Sequence, residues 1–403
     1  MSKTQNLTAG LPLAATGSSN WRALLLRRMM AALRYGRLQC VTPEGAVLEQ
    51  RGALPGPEAK LVLHNWRAVR ALILGGDEGF GDGFLRGDWS SPDLTGFLTL
   101  AARNFSSAHK PSVPLRILHR LRHALNANSR AGSRRNIMAH YDLGNEFYAA
   151  WLDPQMLYSS GLYRHPDESL EAAQLHKLGL IADWLDVPSC GTVLEIGCGW
   201  GALARLLGVS GAKVTGLTVS PAQLEHARRV VSASGLEDRV ELALRDYRDE
   251  TGQYDRVVSV EMLEAVGEAY WPTYFRNLRD RLKPGGKAVL QVITIDAARF
   301  GAYRDNPDFI QRRVFPGGML PAKAHISARA AAAGLKPARA MHFGESYALT
   351  LADWRARFLA AWPRLLELGF DERFKRLWLY YLSYCEAGFR AGTIDVGLYE
   401  LLG

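Results

Sequence analysis

The sequence predicts an α/β fold with a doubly wound, mostly parallel sheet, on two observations. The first is a series of short apolar segments that are typical of buried strands: Thr192–Ile196, Lys213–Leu217, Val240–Leu244, Asp255–Val260 and Ala288–Ile293. The second is the set of helical segments between them: Ala202–Gly208, Pro221–Ser234 and Trp271–Leu282. Strands and helices that alternate at this spacing form βαβ units, and ligands bind beyond the carboxyl ends of such strands.

The first predicted strand, in "VLEIGCGWG", runs into three glycines, Gly197, Gly199 and Gly201. Closely spaced glycines let the backbone turn sharply and approach a ligand. The spacing G-x-G-x-G differs from the G-x-G-x-x-G of dinucleotide-binding turns, and no Lys-Ser or Lys-Thr pair follows, as it would in a phosphate-binding loop. Glu195 would repel a pyrophosphate, but it suits a ligand that carries ammonium and sulfonium charges. The turn therefore indicates S-adenosylmethionine.

Charge and composition divide the chain into two parts. The 403 residues carry a net charge of +9, so an anionic partner is expected: nucleic acid, an anionic membrane or an acidic substrate. Between Asp93 and Asp142 there is no acidic residue, but there are eight Lys or Arg. The small, polar centre of this stretch predicts a basic linker at residues 126–136. It separates an N-terminal domain, residues 1–125, from a second domain, residues 137–403.

Two basic amphipathic segments, residues 114–125 and Trp21–Arg34, predict helices in the N-terminal domain. They suit an anionic membrane surface, although each alone also fits a solvated arginine face over an ordinary core. No apolar run approaches the roughly 20 residues that a spanning helix needs, and the first residues lack the order of a signal peptide. The four cysteines form no CxxC pair, which favours a reducing compartment. We expect a cytoplasmic protein, peripheral to the inner face of the membrane.

Several segments share their pattern with one family. The glycine turn resembles the first motif of class I S-adenosylmethionine-dependent methyltransferases, and "LTVSPAQ", residues 217–223, resembles the second-strand motif of cyclopropane-fatty-acyl-phospholipid synthases and mycolic acid cyclopropane synthases. "AHYDLGNEFYAAWLDPQMLYSSGLY" and "RFKRLWLYYLSYCEAGFR" resemble segments on either side of the same catalytic core. "GFGDGFLRGDWSSPDL" resembles the smaller, N-terminal lipid-binding domain of the phospholipid-acting members. The resemblance covers most of the chain.

This resemblance implies that S-adenosylmethionine methylates a cis double bond in an unsaturated phospholipid acyl chain and leaves a carbocation. In the family, a bicarbonate ion then removes a proton from the added methyl group, and a cyclopropane ring closes. The protein must exclude water and stabilise positive charge. The resemblance also implies an anionic membrane surface and a homodimer as partners, and no nucleic acid.

Carried over residue by residue, the resemblance implies two groups of site residues. The catalytic group holds Glu264, which would orient bicarbonate, with Tyr347, Ser160 and the backbone of Ile295. The group that would hold S-adenosylmethionine consists of Tyr141, Tyr158, Ser159, Glu195, Gly197, Gly199, Gly201, Thr218, Gln223, Asp246 and Tyr247. No metal ligand is expected. The aromatic segment Leu377–Cys385 has helical spacing and predicts core or the wall of an acyl tunnel.

Two positions depart from the family pattern. Ser160 replaces a cysteine, and Ile293 stands where we place a histidine, two residues before Ile295. Serine can still donate a hydrogen bond, but isoleucine cannot, and a hydrogen bond to a charged group is typically worth about 1.5–3 kcal/mol. We therefore expect bicarbonate to bind weakly, to bind elsewhere or to be absent. Without that base a hydride shift would give a methyl- or methylene-branched chain in place of the ring.

Two other functions stay open at this point. The basic charge permits methylation of RNA or of a small molecule, but no RNA-binding module is evident in the sequence. The loss of the histidine also fits a protein that binds lipid or S-adenosylmethionine without turning either over. Turnover that requires lipid vesicles would separate the predicted enzyme from both alternatives.

Overall fold

The computed structural model describes residues 21–104 and 143–403. The first range forms an α+β unit, whose four-stranded sheet has the order β2-β1-β3-β4. Its elements are α1 (Trp21–Met30), β1 (Tyr35–Val41), β2 (Val47–Arg51), β3 (Leu54–Leu63), α2 (Arg67–Leu85), β4 (Trp89–Ser90) and α3 (Leu94–Asn104). Helix α1 ends four residues before the predicted Arg34 because the chain turns there to enter β1. The helix predicted at 114–125 and the linker predicted at 126–136 lie outside the described residues.

The second range holds a larger sheet and the helices around it. Its strands are β5 (Thr192–Ile196), β6 (Lys213–Thr218), β7 (Val240–Leu244), β8 (Tyr254–Val260), β9 (Leu282–Ile295), β10 (Lys336–His342) and β11 (Ile394–Leu402). Its helices are α4 (Asn145–Ala149), α5 (Leu170–Leu185), α6 (Ala202–Val209), α7 (Pro221–Ala233), α8 (Trp271–Arg281), α9 (Ala297–Asp305), α10 (Phe309–Arg313), α11 (Lys323–Ala332), α12 (Gly344–Ala360), α13 (Trp362–Glu367) and α14 (Glu372–Arg390).

The larger sheet confirms the predicted doubly wound architecture. Its strand order is β10-β11-β9-β8-β5-β6-β7, and β5 to β9 pair in parallel. Strand β11 pairs antiparallel with both of its neighbours. All five predicted strands and the three predicted helices are present. Strands β10 and β11 were not predicted, and the aromatic segment Leu377–Cys385 lies within α14, as its helical spacing predicted.

The two faces of the larger sheet bury different sets of side chains. Leu194 and Val257 pack on the face covered by α8 and α11, whereas Val193 and Val258 pack on the face covered by α5, α6 and α7. This follows from the strand repeat of two residues, which points successive side chains to opposite faces. Glu195 therefore shares the face of Val193, beneath α5.

A buried hydrogen bond and a partly exposed ion pair connect the N-terminal unit to helices of the larger domain. The Glu386 carboxylate on α14 is 2% exposed and accepts hydrogen bonds from Thr95 on α3 at 3.2 Å and from Nε of Arg355 and Arg390 at 3.2 and 2.8 Å. A second contact joins α2 to α10, where Arg313 donates to Asp82 at 2.8 Å. The two parts of the chain are thus packed together through charged groups as well as apolar ones.

We expect Glu386→Ala to lower the free energy of unfolding by about 2–3 kcal/mol, because it removes the buried acceptor of three side chains whose arginines are partly exposed. Glu225→Ala is the matched control, since its carboxylate forms an exposed pair with Arg229 at 3.7 Å. Exposed pairs contribute about 0.2–1 kcal/mol. Urea unfolding followed by circular dichroism measures both changes, and equal losses would contradict the structural role given to Glu386.

Candidate active site

One cavity of about 870 Å³ begins at the carboxyl ends of the parallel strands and extends into the N-terminal unit. At one end it is lined by the glycine turn, and at the other by apolar side chains that include Leu26, Met30 and Leu33. The predicted site residues that line it are Tyr158, Ser159, Glu195, Gly197, Gly199, Thr218, Gln223, Asp246, Tyr247, Glu264, Ile295 and Tyr347. Its position agrees with the rule that ligands bind at the carboxyl edge of such sheets.

The three glycines of the turn have left-handed backbone conformations, with φ of 83°, 52° and 90° at Gly197, Gly199 and Gly201. A Cβ on Gly199 would meet no atom of the described residues within 4 Å, so this side of the turn faces the cavity. Gly201 does not line the cavity. It precedes α6, and a Cβ there would lie 3.0 Å from the Cβ of Ala227, so this glycine serves helix packing.

A buried carboxylate lies directly before the turn. Glu195 is 4% exposed, and its Oε2 has no hydrogen-bond partner among the described residues. Burial raises the pKa of Glu195 to about 8, against the attraction of the Lys177 ammonium. Such a carboxylate fits the cationic groups of S-adenosylmethionine, because an unpaired buried acceptor is costly until a donor or a cation reaches it.

The part of the cavity beside the glycine turn is polar, and its side chains form hydrogen bonds with one another. The Thr218 hydroxyl donates to Oε1 of Gln223 at 2.9 Å, at the start of α7. The Asp246 carboxylate accepts from Nε and Nη2 of Arg248 at 2.9 and 2.6 Å, and Arg248 lies over the ring of Tyr247. These side chains suit the hydroxyl and amino groups of an adenosine. Tyr141, predicted to reach the same ligand, lies outside the described residues.

Lys177 on α5 was not predicted as a site residue, but it lies in the cavity lining beside Ser159. It is 1% exposed, lines the cavity and donates to the Ser159 hydroxyl at 2.7 Å. Burial lowers the pKa of Lys177 to about 8, against the attraction of Glu261, Asp153 and Glu195. The available signal was a lysine in line with the apolar positions of the segment that forms α5, where an unpaired surface lysine is not expected.

Two glutamates, not one, line the centre of the cavity. Glu264 accepts from the backbone N–H of Ile293 with Oε1, and its shielded Oε2 has no partner among the described residues. Burial and the nearby charge of Glu261 raise the pKa of Glu264 to about 8. Tyr347 donates to Oε2 of Glu261 at 2.7 Å. Glu261 was missed although "EMLEAVG" contains it three residues before Glu264.

Three neighbouring positions differ from the geometry that the resemblance implied. Ser160 is buried outside the cavity lining, and its hydroxyl donates to the carbonyl of Gly161 at 2.8 Å. The backbone N–H of Ile295 donates to the carbonyl of Pro321 at 2.9 Å. Gln291, two residues before Ile293 on the same face of β9, reaches Glu261 with its amide nitrogen at 2.8 Å. Gln291 is therefore the polar side chain of β9 that contacts Glu261.

The fold and the site together define a methyltransferase that uses S-adenosylmethionine. A parallel sheet ends in a glycine turn beside an unpaired carboxylate, and the turn opens into an apolar chamber with two more carboxylates. The sequence model of the family described as mycolic acid cyclopropane synthetase matches residues 128–398. The chain belongs to this family.

Relatives in sequence and in structure agree with this assignment. The chain is 38% identical to the tuberculostearic acid methyltransferase of Mycobacterium tuberculosis over 98% of each chain. It is 35% identical to the cyclopropane-fatty-acyl-phospholipid synthase of Escherichia coli over 84% of this chain and 86% of that protein. The crystal structure of mycolic acid cyclopropane synthase CmaA1 complexed with SAH and CTAB superposes with a TM-score of 0.62 and 28% identity. The superposition covers 67% of this chain and 98% of the CmaA1 chain.

We expect Gly199→Ala to weaken the binding of S-adenosylhomocysteine about tenfold or more, equivalent to ~1.4 kcal/mol, because the methyl group enters the cavity. Gly235→Ala is the matched control. Gly235 has a similar φ of 63°, an added Cβ there also meets no atom of the described residues within 4 Å, and it does not line the cavity. Isothermal titration calorimetry would measure both. Equal weakening in the two variants would show that the loss comes from backbone strain alone.

Proposed function

We propose that this enzyme transfers the methyl group of S-adenosylmethionine to a double bond in an unsaturated phospholipid acyl chain, and that the product is a methylene-branched chain. The observation that carries the proposal is the single cavity that joins the glycine turn to the interior of the N-terminal unit. A long apolar substrate can lie in such a cavity with one segment beside the cofactor corner. The similarity to a cyclopropane-fatty-acyl-phospholipid synthase and to a mycolic acid cyclopropane synthase supports an acyl substrate.

The apolar part of the cavity suits an acyl chain. Leu26 and Met30 of α1, Leu38 of β1, and Leu98 of α3 contribute aliphatic surface from the N-terminal unit. Rings of α14, among them Tyr381, continue this surface towards the centre. Burial of each methylene group of a chain is worth about 0.8 kcal/mol, so this surface binds long chains without hydrogen bonds.

S-adenosylmethionine, when bound, supplies an electrophilic methyl group, and the alkene supplies the electron pair of the new bond. The protein needs no nucleophile for this reaction, so its side chains must stabilise the positive charge left on the acyl chain. Glu261 and Glu264 are placed for this in the apolar chamber, where fixed charges act strongly. The rings of Tyr158, Tyr347 and Tyr381 line the same chamber and offer π faces to a cation.

The groups around the centre favour a branched product over a ring. The Ser160 hydroxyl is bonded to a neighbouring carbonyl outside the cavity lining, and Gln291 has no basic atom. A secondary cation that keeps its protons can pass to the more stable tertiary cation by a 1,2-hydride shift. Loss of a proton from the added methyl group to a cavity carboxylate then leaves a methylene group, joined to the acyl chain by a double bond. The similarity to a tuberculostearic acid methyltransferase over nearly the whole chain supports this outcome.

The N-terminal unit suits an anionic membrane surface. Trp21 and Leu24 of α1 are 65% and 66% exposed, and Arg22, Arg27 and Arg28 lie on the same short helix. Leu26 and Met30, also on α1, line the cavity, so the helix lies between solvent and the acyl-binding surface. Within the ranges 21–104 and 143–403, no helix is long and apolar enough to cross a membrane. We infer that α1 docks on the bilayer from which the acyl chain is taken.

Purified enzyme with methyl-¹³C-labelled S-adenosylmethionine and vesicles of monounsaturated phospholipid tests this function. We expect S-adenosylhomocysteine to form only with vesicles, faster on anionic than on neutral ones. NMR should show the label in a methylene group that is joined to the acyl chain by a double bond. Label in a cyclopropane ring would contradict the branched outcome. Release that does not depend on vesicles would contradict the lipid substrate, and equal rates on both vesicle types would contradict the membrane role of α1.

Glu264 should impose a pH dependence on turnover. Because the pKa of Glu264 is raised to about 8, the group is mostly protonated at lower pH and cannot stabilise a cation as a carboxylate. At saturating S-adenosylmethionine, we expect kcat/KM for lipid to rise as the pH increases through about 8 and then to level off. Glu264→Gln should lower kcat/KM about 100- to 1,000-fold and remove the rise. A variant that keeps the wild-type profile would exclude Glu264 as its source.

A further inference from the structure

We infer that the carboxylate of Glu261 takes the place for which the family resemblance implies a bicarbonate ion, so that this enzyme carries its own anion and needs none from solution. The inference rests on the proposed function and concerns the groups at the centre of the same cavity. It gives a role to a buried glutamate that the sequence motif did not single out.

The hydrogen bonds of Glu261 are those of an occupied anion site. Its Oε1 accepts from the backbone N–H of Ser160 at 2.9 Å and from Nε2 of Gln291 at 2.8 Å. Its Oε2 accepts from the hydroxyl of Tyr347 at 2.7 Å. The donors come from three separate parts of the chain: the segment between α4 and α5, strand β9 and helix α12. Converging donors of this kind bind an anion, and here a side chain already supplies it.

The backbone of Glu261 supports the same interpretation. Its φ is 51°, in the left-handed region that residues other than glycine seldom adopt. The peptide is held there by a hydrogen bond from the N–H of Glu261 to the carbonyl of Gln291 at 2.8 Å. Uncommon backbone conformations of this kind persist where the surrounding structure fixes them, and they concentrate at functional sites. At this position the conformation directs the carboxylate towards the three donors.

A free bicarbonate does not fit beside this carboxylate. The donors that would hold it are already bonded to Glu261, and the Glu261 carboxylate would repel a further anion placed beside it. The Lys177 ammonium also lines the cavity and donates to Ser159. Its positive charge balances the carboxylates already present. The resident glutamate and the ion are therefore alternatives.

Glu261 can accept the proton that the added methyl group loses after the hydride shift. Its Oε2 accepts one hydrogen bond and keeps a further lone pair for a proton. In the proposed step, which follows the hydride shift, a C–H bond of the added methyl group breaks, its electron pair forms the double bond of a methylene group on the acyl chain, and the proton moves to Oε2. The resulting carboxylic acid returns the proton to solvent after the product leaves. The step consumes no oxidant or reductant.

The test compares wild type, Glu261→Gly and Glu261→Gln in carbon-dioxide-free buffer, with sodium bicarbonate or sodium chloride added at equal ionic strength. Glycine accepts a positive φ without strain, so Glu261→Gly removes the carboxylate and leaves the three donors facing the cavity. Glu261→Gln keeps the volume of the side chain and removes its charge. Thermal unfolding and the affinity for S-adenosylhomocysteine check that both variants are folded and bind the nucleoside.

We expect wild-type turnover on phospholipid vesicles to be unaffected by bicarbonate. Both variants should lose about 100-fold or more, the usual contribution of a general base, and only Glu261→Gly should recover with bicarbonate. Wild-type turnover that falls when bicarbonate is removed would overturn the inference while leaving the lipid methyltransferase in place. So would a folded Glu261→Gly variant that is fully active without bicarbonate, or one that bicarbonate does not restore. Wild type without any vesicle-dependent turnover would instead overturn the proposed function.

Discussion

A carboxylate in an apolar cavity costs several kcal/mol unless hydrogen bonds or a cation compensate, and this cavity holds Glu261 and Glu264 together. Much of the local architecture supplies that compensation. Tyr347 and Gln291 donate to the first carboxylate, and the backbone of Ile293 donates to the second. The same arrangement suits a reaction in which positive charge appears on a hydrocarbon chain, because fixed negative charge acts strongly where water is excluded.

Most of the fold could be predicted from the sequence, because the patterns that indicate its strands, helices and turns are local. Apolar strands, the glycine turn and the helices between them recur at short range, and all five predicted strands lie in the sheet. Strands β10 and β11 escaped because the sequence around Lys336 alternates poorly and because β11 pairs with β9 from about a hundred residues away. The contact between α3 and α14, through Thr95 and Glu386, is likewise a tertiary feature that no local pattern records.

The sequence predicted most of the residues that line the site, but not the contacts that they make with one another. Twelve predicted residues line the cavity, because motif residues at strand ends share one edge of the sheet. The identity of the partner of Tyr347 depends on the positive φ of Glu261, which the sequence does not display. The resemblance placed the histidine position at Ile293, and the structure brings Gln291 of the same strand against Glu261. Both residues lie on one face of the strand, so periodicity alone does not distinguish them.

The central claim is that one cavity brings an acyl chain and the methyl donor together beside the two carboxylates. A crystal structure with S-adenosylhomocysteine and a long-chain amphiphile tests this directly. We expect the sulfur atom of S-adenosylhomocysteine to lie between Gly199 and Glu264, and the alkyl chain to run past Tyr347 towards Leu33 and Met30. A sulfur atom that faces bulk solvent, or a chain that leaves the cavity without entering the N-terminal unit, would contradict it.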